Sequence, residues 1–163
     1  MKQFLKKFKE FRLVAFIEAI AGAVGLVAAL LILIFYQTNQ TRLGLDGNEV
    51  IIPGFPGEPI AGMVFFLAGL LAIIFGVVVV YSCIPFIFKK DEKLDPNKLI
   101  PWFAVVAAAF SLIEVIFGFV MIGKAGSRNT VGVVIASIFL ILALLVQLLM
   151  IYPTLRVRLK EDD

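Results

Sequence analysis

Hydrophobic positions along this chain gather into four long runs separated by short polar segments. The first covers residues 12–36 and, past its opening arginine, is broken only by Glu18. The second, 60–88, carries no charge at all. The third, 99–123, encloses Glu114, and the fourth, 130–153, is again free of charge. A helix needs about 20 apolar residues to cross the hydrocarbon of a bilayer. Strands of a membrane barrel are about half that length and alternate in polarity, and none of these runs alternates. The pattern predicts an all-α integral membrane protein: a single domain, residues 1–163, of four antiparallel transmembrane helices. The basic start (Lys2, Lys6, Lys7, Lys9, Arg12) has the charge of a signal peptide. The apolar run behind it exceeds the roughly 7–15 residues of a cleaved segment and no small-residue cleavage site follows, so it is expected to be retained.

The longest polar interval, residues 37–59, reads as a hairpin-like loop. Asp46-Gly47-Asn48 supplies a tight turn between short apolar stretches, as hairpin turns do. Pro53, Pro56 and Pro59 then hold the chain extended. Val50, Ile51, Ile52 and Phe55 are costly if left wet, so the loop is expected either to fold back as a lid or to offer these four residues to a partner. Asp95-Pro96 has the form of a cap and first turn, and predicts where the third helix starts. Pro85 and Pro153, near the ends of the second and fourth runs, are expected to mark helix endings.

Composition strengthens the membrane reading. Hydrophobic residues make up 61% of the chain, where a soluble domain is closer to half apolar. Charge then fixes an orientation. Of the 15 Lys and Arg residues, twelve lie on the side of the N-terminus, the 89–98 segment and the C-terminal tail; only Arg42, Lys124 and Arg128 lie opposite. Cytoplasmic loops carry the excess of Lys and Arg. Both termini are therefore expected in the cytoplasm, with loop 37–59 outside, in a plasma or inner membrane. The net charge of +3 is accounted for by these flanks, so no nucleic acid is expected as a partner. Trp102, Tyr36, Tyr81 and Tyr152 fall near span ends, where amphipathic rings prefer to sit.

Candidate chemistry is sparse. The chain has no His and one Cys, which removes the commonest general base and metal ligand. No nucleophile–base pair and no phosphate-binding loop appears. No catalytic residue, metal or cofactor is expected.

Two intramembrane carboxyls stand out, because an ionisable group in a bilayer is expensive and usually faces protein or a cavity. Ala15, Gly22 and Gly25 share a helix face with Glu18, and Ala107, Ser111 and Gly118 share one with Glu114. Small residues at such spacing let helices approach closely, so each carboxyl is expected in a helix–helix seam. Glu18 lies six residues past Arg12, roughly 9 Å along the helix, and Ser82 and Gln147 fall at a similar depth. Glu114 lies ten residues before Lys124, roughly 15 Å in, with Ser137 at a comparable level. The segments around Glu18 and Glu114 resemble one another, but their unequal depths argue against an internal repeat. With no Lys or Arg in reach, Glu114 is expected to be neutral and to donate a hydrogen bond. Glu18, Glu114, Gln147, Ser82, Ser111 and Ser137 are the candidate ion or proton site.

Two functions fit these expectations. One is a non-catalytic subunit that lies in the lipid bilayer and assembles with, stabilises or regulates a larger membrane protein complex. The other is a small oligomeric transporter or channel with a proton- or cation-coupled glutamate.

Overall fold

The computed structural model describes residues 2–37, 41–43, 45–51, 59–88, 101–125 and 129–159. Four long helices occupy the four apolar runs: α1 Lys2–Gln37, α2 Pro59–Phe88, α3 Pro101–Ala125 and α4 Thr130–Leu159. Each contains a stretch long and apolar enough to cross a membrane: 25, 29, 22 and 22 residues respectively. The described parts of α2 and α3 begin at proline, whose missing N–H costs nothing and whose fixed φ suits a helix's first turn. The described part of α3 begins at Pro101; the expected start at Asp95-Pro96 lies outside the described residues. At the head of α4, the Asn129 carbonyl accepts the first helical bond, from the Val133 N–H at 3.0 Å, as an N-cap residue does.

Pro85 does not end α2. The helix runs on to Phe88, and α4 likewise continues past Pro153 to Leu159. Both prolines lie in a last turn or two, where little helix remains to be disrupted by the lost bond. Between α1 and α2, strands β1 Thr41–Leu43 and β2 Glu49–Ile51 pair in antiparallel register, Thr41 opposite Ile51 and Leu43 opposite Glu49. The turn between them needs Gly47, whose φ of +76° is open to glycine and strained for most side chains. Asn48 donates its side-chain amide to the Asp46 carboxylate at 3.2 Å across that turn.

The helices form a ring. α1 packs chiefly on α2 and α4, and α3 packs on α2 and, more thinly, on α4, while α1 and α3 face each other diagonally with little contact. Two apolar clusters fill the ring. One joins Ile32, Tyr36, Phe65, Val115, Val133 and Leu140. The other joins Ala15, Val79, Cys83, Phe86 and Ala104 at the opposite end. Aromatic contacts bind the helices pairwise. Phe75 of α2 stacks on Phe110 of α3 with centroids 5.8 Å apart and planes 13° from parallel. Tyr36 of α1 tilts against Phe65 of α2 at 4.9 Å. Expected at the lipid interface, Tyr36 is instead buried in the bundle, while Tyr81 and Trp102 are exposed. The Leu33 side chain of α1 packs directly on the α2 backbone at Gly69, where an added Cβ would fall 2.8 Å from its methyl carbons.

Candidate functional site

The buried polar side chains among the described residues are Glu18, Ser111, Glu114, Ser137 and Gln147, every one facing inward from a transmembrane stretch. Each interrupts an otherwise apolar wall, and small neighbours give it room. Glu18 sits between Ala15 and Gly22 on α1, and Glu114 between Ser111 and Gly118 on α3, as spacings of three and four residues require.

Midway along α1, and near the start of its apolar stretch, Glu18 is buried three residues from Ala15, which packs in one cluster with Cys83 of α2. Ser82 is half-buried and donates its hydroxyl to the Val78 carbonyl of its own helix at 2.7 Å. That hydroxyl proton is spent within α2, so Ser82 offers Glu18 at most an acceptor. One turn along α1, Gly22 meets α4: an added Cβ there would lie 3.4 Å from Nε2 of Gln147. The Gln147 amide thus lies in the layer of Gly22, four residues along α1 from Glu18.

That layer holds a small cavity where all four helices meet. It has a volume of about 10 Å³, and its walls include Gly22, Gly25, Gly76, Ser111 and Gln147. Three glycines at this level leave the backbone itself as part of the wall; a Cβ built on Gly76 would lie 3.9 Å from the Gly22 carbonyl oxygen. Ser111 and Gln147 bring a hydroxyl and an amide to the space, so its lining is mixed where the rest of the core is apolar.

Glu114 lies one helical turn beyond Ser111 and is fully enclosed. Neither carboxyl oxygen has a hydrogen-bond partner among the described residues. Sequence reasoning expected a bond donated to a neighbouring helix; packing brings Ser137 into the core but makes no such bond. Burying a polar group without a partner costs a few kcal/mol.

Of the four loop residues expected to meet a partner, Ile52 and Phe55 lie outside the described residues, and only the backbone of Val50 and Ile51 is described. The described residues contain no group of three His, Cys, Asp or Glu side chains placed to hold a metal.

A second feature had only a partial signal in the sequence. Between α1 and α4 a groove of about 620 Å³ opens on the outer surface of the ring. Ala28, Gly132 and Ala136 form its floor, and Val24, Leu31, Phe35 and Phe139 stand among its walls. Gly132 and Ala136 are recognisable as a small-residue stripe, but their juxtaposition with Ala28 arises only when α4 docks on α1. Comparison of this chain with known protein families, curated proteins and solved structures gives no match.

Proposed function

We propose that this protein is a non-catalytic integral membrane subunit that assembles with a larger membrane protein complex. In this reading it crosses the bilayer four times with antiparallel helices, both termini in the cytoplasm and loop 37–59 outside. The twelve-to-three distribution of Lys and Arg supports that orientation. The groove between α1 and α4 carries the assembly reading. Its floor of Ala28, Gly132 and Ala136 lets a foreign backbone approach closely, and its bulky walls fix where that backbone lies. Helices in lipid associate by such packing, since the lipid tails are as apolar as the groove itself. The occupant proposed is a transmembrane helix of a partner subunit.

Extraction from native membranes in a mild detergent, followed by native mass measurement, tests this. A particle containing this chain and larger, different chains is expected. Val27→Trp together with Ile135→Trp, at two exposed groove positions, should release the chain from that particle while leaving it folded. Recovery of the chain only as a monomer or as copies of itself would refute the assembly reading. Copies alone would favour a small oligomeric transporter, for which the specific observation is the enclosed carboxyl of Glu114.

A further inference from the structure

The buried carboxyl of Glu114 is carried on α3 one helical turn from Ser111, a wall of the cavity at the four-helix crossing. Long side chains on a helix lean toward its N-terminus, over the residues three and four positions earlier. On α3 that direction takes the Glu114 carboxyl toward Ser111, a cavity wall. On α4 it takes the Gln147 amide toward Ala143 and Leu144, which also line the cavity. Glu18, on the other side of the cavity, leans away from it, toward Ala15 and the Cys83 end of the bundle.

The volume of about 10 Å³ is close to what one water molecule needs. A buried water also needs two to four polar partners. Here the Ser111 hydroxyl, the Gln147 amide and the Gly22 carbonyl supply them. A bundle that wanted only packing at this level would have closed the space with a methyl group and placed a leucine at position 114.

We propose that Glu114 is a proton-binding site inside the membrane, served by a single water molecule held between Ser111, Gln147 and Gly22. In the transfer, a hydronium ion formed at the water position gives its proton to a carboxylate oxygen of Glu114: one O–H bond breaks and one forms, a neutral water and a neutral carboxyl remain, and no redox change occurs. The inference is independent of the assembly reading, since the site is built from this chain alone. The other charged or titratable groups of the packed helices are few. α1 brings Arg12, Glu18 and Tyr36, and α2 brings Tyr81 and Cys83. The span of α4 brings none. Tyr36 packs on Phe65, whose ring lies 3.2 Å from an added Cβ on Gly118, one turn beyond Glu114. Among the described side chains of these elements no cation faces the carboxyl, so the proton is the charge that neutralises it.

Dicyclohexylcarbodiimide tests the site on the intact chain in phosphatidylcholine vesicles. This apolar reagent takes the proton of a neutral carboxyl and adds its oxygen, so it marks a protonated acid in an apolar place. One adduct is expected, at Glu114 by peptide mass spectrometry, forming more slowly as pH rises. Ser111→Ala and Gln147→Leu should slow labelling severalfold, whereas Ser82→Ala should leave it unchanged. In the infrared spectrum, the carbonyl band of a protonated carboxyl should vanish in Glu114→Gln. Labelling at Glu18 alone, labelling indifferent to pH, or an infrared spectrum of the unaltered protein with no protonated-carboxyl band would overturn the proposal. Protection by sodium at constant pH would also overturn it, by assigning the site to a metal cation. The labelling arm uses the unaltered protein, so misfolding of any variant leaves the test intact.

Discussion

Replacing Glu114 by Met should make this protein more stable. The side chain is fully enclosed and both its oxygens lack partners among the described residues. A buried polar group left unsatisfied costs about 1–3 kcal/mol. Met follows the same unbranched path, and volume-conserving exchanges into an apolar core cost under about 1.5 kcal/mol. The balance is a gain of about 1–2 kcal/mol for Glu114→Met. Glu114→Gln keeps a polar group in the same place and should change stability by less than about 0.5 kcal/mol. Even a formed interhelical hydrogen bond in a membrane averages only about 0.6 kcal/mol, so a missed bond elsewhere in the bundle does not reverse the sign. Reversible unfolding in mixed micelles provides the assay, with fluorescence of the single tryptophan, Trp102, reporting on α3. A loss of more than about 1 kcal/mol in Glu114→Met would refute the reasoning, because it requires a partner for the carboxyl strong enough to offset its burial.

Three further predictions concern packing. Gly69→Ala brings a Cβ to 2.8 Å from Leu33 and should cost about 1–3 kcal/mol through overpacking; in a Leu33→Ala background most of that cost should disappear, and additive effects in the double-mutant cycle would contradict the close approach. The Phe75–Phe110 stack should show a coupling of about 0.5–1.5 kcal/mol in a cycle with Leu at each position, and zero coupling would mean that the rings do not meet. Cys83 is buried and should resist maleimide in the folded protein, reacting only at the rate of unfolding; immediate labelling would place the thiol on the surface.

The helices were legible in the sequence because the bilayer imposes length. A run such as 60–88, without one charge, has few alternatives to a spanning helix. The inward faces of α1 and α3 were legible for a related reason: a carboxyl in an apolar run avoids lipid, and Gly22 or Gly118 beside it marks the side where another helix comes close. What could not be read was how the layers align across helices. Depth counted along the chain groups Ser82 with Glu18 and Gln147; it does not show that the Ser82 hydroxyl bonds to its own backbone or that the Gln147 amide lies against Gly22. The fate of Tyr36 shows the same limit. Nearness to a span end predicts an interfacial ring, but Phe65 on α2 offers a tilted partner at 4.9 Å and the ring turns inward.

A buried carboxyl with no partner is a local conflict that packing alone does not explain, and such conflicts concentrate at functional sites. The rest of this bundle is locally consistent. Among the described residues, proline stands first in two helices, Asn129 caps a third, glycine takes the one positive φ, and small residues line the close approaches. Against that background Glu114 stands as the exception, one turn from a cavity with two polar walls. The two substitutions proposed for it separate cost from use. If Glu114→Met raises stability while carbodiimide labelling at this position follows pH in the unaltered protein, the carboxyl is retained for its proton at the expense of the fold. If stability falls and labelling is absent, the residue is holding helices together through a partner, and the bundle has no polar site of its own.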